Sequence, residues 1–424
     1  MKVVIMAGGR GTRISSIASD IPKPMIKIDD KPILEHEIIS LKEQGFFEFI
    51  ITVSYLGNVI MDYFKDGSKL GIKIEYFVEE TPLGNAGALF RLKDKLTEDF
   101  LLLNADSIFN IDFNRLIKYH YEKKALITLF THPNSHPYDS GLLITDDSNR
   151  VTKWITKEET RPTYYKNRVN AGVHVVSPEI FNLLNIDSEK IDLDRQIIKP
   201  LLETGKVFAY DSPEYVKDMG TPDRFETVKK EFLSGKVKRR TLASKQKAIF
   251  LDRDGTINKY VGFLRNIDDF ELLTGVSEAI KRINESDYLA IVVSNQPVIA
   301  RGEVTFEELN EIHNKMETLL GKDGTYLDAI YYCPHHPDKG FKGERVEFKI
   351  DCDCRKPKPG MLLKAAKDFN IDLSKSWMIG DGENDVIAGK AAGCNTILLS
   401  KDSCDTMSEN KANDLLEAIR IILK

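Results

Sequence analysis

The feature that most constrains this chain is an alternation of short apolar runs with amphipathic segments, which stops once and then restarts. In the first half, the runs predict strands at residues 2–6, 49–53, 72–77, 100–103, 125–130, 141–145 and 171–176. Segments with helical spacing predict helices at residues 33–44, 59–64 and 85–93. Strands alternating with helices predict a mostly parallel sheet covered on both faces, and the last strands give it mixed polarity.

The alternation stops at residues 234–247, where the sequence SGKVKRRTLASKQK holds six cations and almost no apolar periodicity. A solvated linker explains this stretch better than a nucleic-acid contact does. The pattern then predicts strands at 248–251, 289–293, 377–379 and 396–399, and helices at 276–284, 306–320, 361–369 and 411–423. We therefore predict two α/β domains, 1–234 and 248–424, joined by a basic linker at 235–247.

Composition excludes several classes of protein. The 424 residues carry a formal net charge of -5, so no overall positive field favours nucleic acid or an anionic membrane. No apolar run approaches the roughly 18–20 residues that span a bilayer, and the apolar N-terminal stretch is too short for a signal-peptide core. Five cysteines do not make a disulfide framework. These features predict a soluble, cytoplasmic protein.

A glycine-rich loop, AGGRGTR at positions 7–13, directly follows the first predicted strand. Glycines there let backbone N–H groups approach a polyphosphate closely. The loop lacks the Lys-Ser/Thr ending of a P-loop and the spacing of a dinucleotide fingerprint. The alternative is a glycine turn flanked by two surface cations. The predicted nucleotide-binding residues are Ala7, Gly8, Gly9, Gly11 and Thr12, with Arg13 and Lys23 as phosphate-binding cations.

With Pro22-Lys23-Pro24, this loop resembles the G-G-x-G-T-R…P-K-P motif of the sugar-1-phosphate nucleotidyltransferases, over about residues 1–230. The resemblance implies a Rossmann-like fold and Mg²⁺ bound by Asp106 and Asp218. An aspartate after a strand is also common as a helix cap or turn residue, which is the alternative for Asp106. The resemblance further implies a base- and sugar-reading loop with Gly84, and a sugar pocket with Gly141 and Asn170.

The implied reaction is in-line attack of a sugar phosphate oxygen on the α-phosphorus of a nucleoside triphosphate, with pyrophosphate leaving. Arg13 and Lys23 would offset charge on that leaving group. Where family members commonly place Glu-Lys after an aromatic residue, this chain has Thr156-Lys157. Lys157 retains a cation for the sugar phosphate, while Thr156 indicates a sugar other than the usual hexoses or another way of binding hydroxyls.

Glu79 is the residue from which we predict the nucleotide base. It lies five residues before Gly84, where the family places a base-reading side chain. A carboxylate accepts hydrogen bonds, and guanine offers adjacent N–H and NH₂ donors on one edge. GTP is therefore the predicted nucleotide. The alternative is that Glu79 or Glu80 is a solvated loop charge.

In the second half, Asp252 and Asp254 end the strand predicted at 248–251. Open α/β sheets bind ligands at the carboxyl ends of their strands, so one carboxylate can be a nucleophile and the other an acid–base beside Mg²⁺. The alternative is a structural Asp-x-Asp turn or a calcium-type loop. The sequence around these residues, Asp252-Arg253-Asp254-Gly255-Thr256, resembles the D-x-D-G-T motif of the haloacid dehalogenase-like phosphatases.

The later motifs of that family follow in order, ending with Gly380-Asp381-Gly382. The resemblance implies a Rossmannoid phosphatase in which Asp252 attacks phosphorus and Asp254 protonates the leaving alcohol and then activates water. The implied Mg²⁺ ligands are Asp252, Asp381 and the backbone carbonyl of Asp254. Lys358 is an alternative to Lys356 as the motif lysine. The predicted phosphate- and substrate-binding residues are Ser294, Asn295 and Lys356.

Three of the five cysteines gather with a histidine in two short motifs, Cys333-Pro334-His335 and Cys352-Asp353-Cys354. Three thiols and an imidazole suit tetrahedral zinc, and four protein ligands leave no position for water, so the predicted zinc is structural. The alternative is a chance cluster of buried cysteines. His336 is predicted to lie outside the ligand set.

The zinc loop with Cys-Arg-Lys-Pro resembles the D-glycero-D-manno-heptose-1,7-bisphosphate 7-phosphatases over about residues 247–400, with histidinol-phosphate phosphatase domains as close relatives. Two departures are Pro297-Val298 in place of Ser-Gly, which can reshape the phosphate pocket, and Gly382 in place of a usual Lys. Arg301 and Arg355 are the candidates for binding the distal phosphate.

Together the two halves predict a bifunctional enzyme: removal of the 7-phosphate would give heptose 1-phosphate, which GTP would convert into GDP-heptose. One alternative is a mannose-1-phosphate (or other sugar-1-phosphate) nucleotidyltransferase fused to a phosphatase of different specificity, such as a histidinol-phosphate phosphatase. Another is a sugar-nucleotide sensor without turnover, although no carboxylate of either motif is missing. The sequence does not decide the sugar anomer, the base beyond a weak guanine preference, channelling, the downstream glycan, or whether the chain forms a homo-oligomer.

Overall fold

The computed structural model describes residues 1–9, 21–186, 188–401 and 406–424. The contacts between residues divide the chain into two compact units. The first unit comprises Met1–His132, Gly141–Thr156 and Val169–Thr241. The second comprises Pro133–Ser140, Lys157–Arg168 and Leu242–Lys424. Two short segments from the first half of the sequence therefore belong to the second unit.

The first unit is built on a mixed sheet. The strands of this unit are β1 (Val3–Met6), β2 (Lys27–Ile28), β3 (Lys31–Pro32), β4 (Glu48–Val53), β5 (Lys73–Val78), β6 (Phe100–Asn104), β7 (Ser107–Asn110), β8 (Ile127–His132), β9 (Leu142–Thr145), β10 (Val151–Ile155), β11 (Val169–Val176), β12 (Val207–Asp211) and β13 (Tyr215–Asp218). Strands β2 and β3 form a separate pair, as do β7 and β13, and the others form the mixed sheet. The main path runs β10-β9-β11-β6-β1-β4-β5, and β8 joins it between β11 and β12. Strands β1, β4, β5 and β6 are parallel, whereas β11 runs antiparallel to β6, as the sequence predicted.

The helices of the first unit follow the strands in alternation. They are α1 (Ile33–Lys42), α2 (Gly57–Phe64), α3 (Gly87–Arg91), α4 (Phe113–Lys123), α5 (Ile180–Leu183), a π-helical turn Leu193–Ile198 that continues into α6 (Lys199–Leu201), α7 (Pro222–Leu233) and α8 (Lys236–Arg239). Helix α3 is shorter at both ends than the helix predicted at 85–93.

The second unit contains a fully parallel sheet in the order β16-β15-β14-β17-β18-β19. Its strands are β14 (Lys247–Leu251), β15 (Tyr288–Asn295), β16 (Ala329–Cys333), β17 (Trp377–Gly380), β18 (Asn395–Leu399) and β19 (Asn410–Ala412). Its helices are α9 (Val276–Glu285), α10 (Phe306–Lys322), α11 (Gly360–Asp368), α12 (Glu383–Ala392) and α13 (Leu415–Ile422). No helix in the described ranges has the length and apolar character that crossing a membrane requires.

The central strands are buried on both faces because successive side chains point to opposite sides of a strand. In β1, Val3 and Ile5 belong to one hydrophobic cluster and Val4 to another. In β14, Ile249 and Phe250 are divided between two clusters in the same way. Continuous apolar strands of this kind are typical of parallel sheets covered by helices on both faces.

The basic stretch 235–247 is not the solvated linker that the sequence predicted. Helix α8 forms within it, and Lys236 and Arg240 are both buried. Lys236 Nζ lies 3.1 Å from Glu231 Oε1, and Arg240 Nε donates to the Pro213 carbonyl. Two of the six cations are thus buried against partners in the first unit, whereas Lys238, Arg239 and Lys245 are exposed.

The helix predicted at 411–423 is also shorter than expected. Residues Asn410–Ala412 extend the sheet as β19, and α13 begins only after Asp414. The Asp414 carboxylate accepts a hydrogen bond from the Glu417 N–H at 2.8 Å. This is an N-cap, so the chain changes from strand to helix at a residue that satisfies one of the free N–H groups of the first turn.

Candidate active sites

A cavity of about 600 Å³ opens in the first unit at the carboxyl ends of parallel strands β1, β4 and β6. Ligands of open α/β sheets bind at this edge. Seven of the residues that line the cavity were predicted from the sequence: Ala7, Gly8, Gly9, Lys23, Glu79, Gly84 and Asp106. The lining also includes Asn85, Asn104 and Gly220.

Strands β7 and β13 account for the positions of Asp106 and Asp218. Antiparallel pairing places Asp218 opposite Ser107, the residue after Asp106, and the Met219 N–H donates to the Asp106 carbonyl at 3.1 Å. The Asp106 carboxylate pairs with buried Lys23, with 2.8 Å between Nζ and Oδ2. Lys23 and Asp106 line the cavity, and the pairing of β7 with β13 places Asp218 close to Asp106.

Asp218 is held in its ionised form. The Gly220 N–H donates to its Oδ1 at 2.8 Å, and Arg224 Nη1 lies 3.2 Å from the same atom. Burial by itself favours the neutral acid, but Arg224, Gly220 and Lys23 outweigh it and lower the pKa of Asp218. An ionised carboxylate at this place is a ligand of the kind that hard divalent cations prefer.

Glu79 is buried beside the glycine loop. A Cβ added at Gly8 would lie 3.3 Å from its Oε1, so the backbone at Gly8 passes close to this carboxylate. The Leu83 N–H donates to Oε2 at 3.3 Å. Burial raises the pKa of Glu79 against the opposing effect of that N–H. Glu79 is therefore not the solvated loop charge that was the sequence alternative.

The second unit holds a compact acidic group at the carboxyl end of its sheet. Ligand oxygens of Asp252, Asp381 and Asp385 lie within 4.8 Å of one another. Lys356 Nζ is 2.7 Å from Asp252 Oδ1 and 2.5 Å from Asp385 Oδ1, and its side chain is buried. Lys358, the alternative motif lysine, instead pairs with Asp351 at the surface. The structure thus places Lys356 against the predicted nucleophile.

The charged residues of this group change one another's pKa values. Burial raises the pKa of Asp252 to about 6, with Asp385 acting in the same direction and Lys356 in the opposite one. Burial, reinforced by Asp252, raises the pKa of Asp381 to about 6. For Lys356, the carboxylates of Asp252 and Asp385 outweigh burial and raise the pKa. Clustered carboxylates that resist ionisation in this way are a suitable site for a divalent cation.

Asp254 is oriented by a buried hydrogen-bond network. The fully buried Arg253 donates to its carboxylate from Nη2, at 2.9 and 2.8 Å. Gln296 Nε2 donates to Asp254 Oδ2 at 3.0 Å and to Ser294 Oγ at 2.8 Å. Asn258 Nδ2 donates to Oδ1 at 3.1 Å. These contacts hold the Asp254 side chain in one orientation beside Ser294.

Two backbone features complete this site. Asn295 and Lys356 exchange hydrogen bonds of 3.0 Å between the amide side chain and the backbone, which joins the end of β15 to the lysine segment. Gly255 has a φ of +87°, and a Cβ there would lie 1.9 Å from Asp381 Oδ2. Only glycine combines that backbone conformation with such close approach of the carboxylate.

Cys333, His335, Cys352 and Cys354 form a separate group whose ligand atoms lie within 4.8 Å of one another. The sulfur atoms are 3.1–3.4 Å apart, too far for disulfides. His335 Nδ1 lies 3.3 Å from Cys354 Sγ. Hydrogen bonding between Cys333 and Cys354 lowers the pKa of Cys354 to about 5 and raises that of Cys333, so the Cys354 thiolate is favoured. The donor set can bind a metal ion.

Comparison with known proteins finds a similar family for each of the two units. The family described as nucleotidyl transferase matches residues 2–235, and the one described as HAD-hydrolase-like matches residues 353–418. The D-glycero-beta-D-manno-heptose-1,7-bisphosphate 7-phosphatase of Pasteurella multocida (strain Pm70) is 44% identical over 176 residues, 41% of this chain and 93% of that protein. The enzyme of the same name from Escherichia coli (strain K12) is 40% identical over 180 residues, 42% of this chain and 92% of that protein.

The chain belongs to the nucleotidyl transferase family and to that 7-phosphatase family. It is a bifunctional enzyme with a transferase unit and a phosphatase unit. Among solved structures, HddC from Yersinia pseudotuberculosis has a TM-score of 0.48 and 25% identity, covering 55% of this chain and 99% of that one.

Not every predicted residue falls in these sites. Gly11, Thr12 and Arg13 lie outside the described residues. Gly141 and Asn170 are not among the residues that line the transferase cavity. Asn170 hydrogen-bonds to His174 Nε2 at 3.1 Å. Lys157 is exposed and belongs to the phosphatase unit.

Sequence reasoning missed three residues with charged side chains in or beside the sites. Arg253 and Asp385 lie inside motifs that the sequence displays, but only the fold shows that they contact Asp254 and Lys356. Glu37, on α1, is fully buried, and within the described ranges its oxygens find no side-chain partner. Burial, reinforced by Asp106, raises the pKa of Glu37 well above its ordinary value. Helix α1 also carries Glu35 and His36, so no local pattern distinguishes Glu37 as a buried acid.

Proposed function

We propose that this enzyme makes GDP-heptose in two steps. The phosphatase unit removes the 7-phosphate of D-glycero-D-manno-heptose 1,7-bisphosphate, and the transferase unit couples the resulting heptose 1-phosphate with GTP, releasing pyrophosphate. The observation that carries the proposal is the covalent union of a nucleotidyl transferase with a phosphatase 44% identical to a heptose-1,7-bisphosphate 7-phosphatase. The transferase needs a phosphate on the anomeric carbon, and a 7-phosphatase leaves that phosphate in place.

In the phosphatase unit, Asp252 is the nucleophile. Its carboxylate attacks phosphorus, the bond to the sugar oxygen breaks, and an aspartyl phosphate forms. Asp254, oriented by Arg253 and Gln296, donates the proton to the leaving oxygen and then accepts one from the water that hydrolyses the aspartyl phosphate. Lys356 and Ser294 bind the phosphoryl oxygens, and Lys356 keeps Asp252 in position through their 2.7 Å contact.

In the transferase unit, Lys23 and the glycine loop bind the triphosphate in the cavity. Lys23 offsets the charge that develops on pyrophosphate, together with Arg13. Glu79 favours binding of guanine over other bases. It is a buried hydrogen-bond acceptor at the cavity wall, and guanine offers it two adjacent N–H donors. Gly141, Lys157 and Asn170 stay our candidates for contacts with the sugar phosphate.

The residues present fit two kinds of metal. Mg²⁺ suits Asp106 with Asp218 in one unit, and Asp252, Asp381 and the Asp254 carbonyl in the other, with Asp385 close by; when bound it neutralises charge on the reacting phosphates. Three thiols and an imidazole suit Zn²⁺, and with all four positions filled by the protein this site is structural.

The test is phosphate release from both anomers of the heptose 1,7-bisphosphate with Mg²⁺, by the wild type and by Asp252→Asn. Both anomers are needed because the relatives' names specify the beta form for those enzymes alone. We expect rapid release by the wild type from one anomer and none by Asp252→Asn. Absence of release from either anomer would overturn the heptose assignment while leaving the two reaction types in place.

A further inference from the structure

Residues 157–168 connect β10 and β11 of the transferase unit in the sequence, yet they belong to the phosphatase unit. The phosphatase of Pasteurella multocida is matched over 93% of its length by 176 residues, which leaves no room in it for a transferase unit. A phosphatase of that family is therefore built without a segment of this origin. In this chain the phosphatase unit has gained residues from the other half of the sequence.

The segment is anchored on helix α10 by a buried ion pair. Arg168 Nη1 lies 3.3 Å from Glu317 Oε1, and both side chains are nearly fully buried. The Asn167 N–H donates to Glu317 Oε2 at 2.6 Å. Arg168 Nη2 also donates to the Asp328 carbonyl at 3.1 Å, directly before β16. Because an unpaired charge is costly to bury, these contacts hold the segment and the helix together.

Further contacts follow along the same helix. The Tyr165 N–H donates to Thr318 Oγ1 at 2.8 Å, and Oγ1 lies 3.2 Å from the Tyr165 carbonyl oxygen, to which it donates. A Cβ added at Gly321, near the end of α10, would lie 3.1 Å from Pro137 Cγ. The glycine therefore leaves room for the proline ring, and the other transferred segment, 133–140, also packs closely on α10.

Helix α10 also contacts the residue that orients Asp254. His313 lies four residues before Glu317, so the two side chains share one face of the helix. His313 Nε2 lies 3.3 Å from Arg253 Nη1, and because arginine has only donors, the imidazole is the acceptor. Arg253 Nη2 donates to the two carboxylate oxygens of Asp254, at 2.9 and 2.8 Å. A continuous series of contacts thus leads from residues 165–168 to Asp254.

The two ends of the Arg253 guanidinium group are held by different elements. Asp254 accepts at one end and His313 accepts at the other. Arg253 is fully buried, so a shift of α10 would deprive a buried donor of its acceptor and release one end of the group. A proton donor works only when it is aligned with the leaving oxygen, and a misplacement of about 1 Å can cost about 100-fold in rate.

We propose that residues 165–168 position the proton donor of the phosphatase, although they come from the transferase half of the sequence. They hold α10 in place, His313 of α10 fixes Arg253, and Arg253 fixes Asp254. These are positioning roles, because each residue acts through Asp254. The proposal deepens the proposed function and rests on it, since Asp254 must be the group that protonates the leaving sugar oxygen.

The test compares kcat/KM of the full-length enzyme for heptose 1,7-bisphosphate and for 4-nitrophenyl phosphate. A sugar oxygen needs a proton as it leaves, whereas 4-nitrophenolate is stable without one, so only the first reaction depends on the proton donor. Arg168→Met is combined with Glu317→Met, because either substitution alone would leave a buried charge unpaired. The double variant should lower kcat/KM for the bisphosphate about 3–10-fold and that for the aryl ester less than about 2-fold.

Substitutions of His313 test the last contact of the series separately. His313→Leu removes the acceptor for Arg253 and leaves the ion pair intact, so kcat/KM for the bisphosphate should fall about 10-fold relative to that for the aryl ester. His313→Gln keeps an acceptor and should stay within about 2-fold of the wild type on both substrates.

Thr318→Val tests the segment without a change of buried charge. It preserves the side-chain volume and removes only the two hydrogen bonds to Tyr165, so the ratio of the two kcat/KM values should shift in the same direction, about 2–3-fold. Arg282→Met with Glu278→Met is the matched control for the double variant, because it removes an exposed pair of the same two residue types on α9. It should leave both substrates unaffected.

Equal losses on the two substrates would assign these contacts to stability alone and would overturn the proposal. An unchanged ratio in Thr318→Val and His313→Leu would overturn it as well. A wild type inactive on the heptose bisphosphate would contradict the proposed function instead. In that case fructose 1,6-bisphosphate replaces it in the same comparison with 4-nitrophenyl phosphate, and the ratio decides the positioning role.

Discussion

The two active sites differ in how much of their geometry the chain itself holds in place. In the phosphatase unit, Asp252 is largely buried, and Lys356 forms ion pairs with both Asp252 and Asp385. In the transferase unit, Asp106 is 39% exposed and forms an ion pair with Lys23 beside a cavity of about 600 Å³. A nucleophile that belongs to the protein must be positioned by the protein. Where both reacting groups arrive on substrates, the protein provides space and charge.

The largest difference between the two active sites is expected when the nucleophile of the phosphatase unit is removed. Asp252→Asn should lower phosphate release about 10⁴-fold or more, because the covalent step is lost. Pyrophosphate release with heptose 1-phosphate and GTP should be unchanged in the same preparation. Asp269→Asn, at an exposed position of the same unit, is the control and should keep both activities. Residual phosphatase activity near the wild-type level would mean that another group attacks phosphorus.

Substitutions of Lys356 and Lys358 test whether burial of an ion pair determines its contribution to activity and stability. Lys356→Met leaves Asp252 and Asp385 without their buried cation, so phosphate release should fall about 100–1000-fold. The free energy of unfolding of the phosphatase unit should fall by about 3–5 kcal/mol, measured by urea denaturation. Lys358→Met, which breaks only a surface pair with Asp351, should change it by less than about 0.5 kcal/mol. Equal losses of activity and stability in the two variants would show that the buried ion pairs contribute no more than the surface pair.

The cysteine group offers a test of structural support outside the catalytic residues. Cys354→Ser should lose the zinc that we expect the wild type to retain after dialysis, and the phosphatase unit should unfold at lower temperature. Metal content is measured by mass spectrometry and the transition by calorimetry. Cys394→Ser, at a buried thiol outside the group, should retain zinc. A Cys354→Ser enzyme with full zinc content would show that these four residues are not the ligands.

The smallest expected effect concerns the base in the transferase cavity. Glu79→Gln replaces an acceptor-only group with an amide, so the preference for GTP over ATP in pyrophosphate release should fall about 10-fold. Glu80→Gln changes the neighbouring exposed acid and should leave the preference unaltered. If Glu80→Gln alone altered it, the base would be read by the loop surface rather than by the cavity wall.

Much of this arrangement is predictable from local sequence. The apolar runs located both sheets, and the aspartate motifs at strand ends predicted residues that the fold brings together, such as Asp252 with Asp381. Local patterns did not predict β7 and β13, because each is short and is stabilised by a partner far along the chain. Nor could they predict that segments 133–140 and 157–168 belong to the phosphatase unit. Burial of Glu37 and Arg253 likewise depends on long-range packing, which a periodicity cannot encode.

The most direct test of the two-step account follows both products in one reaction. The full-length enzyme is supplied with heptose 1,7-bisphosphate, GTP and Mg²⁺, and phosphate, pyrophosphate and nucleotide sugar are quantified over time. We predict that phosphate appears first and that pyrophosphate then forms in equal amount to GDP-heptose. Asp252→Asn should form GDP-heptose from heptose 1-phosphate but not from the bisphosphate. Phosphate release by the wild type with no GDP-heptose formed would contradict the account.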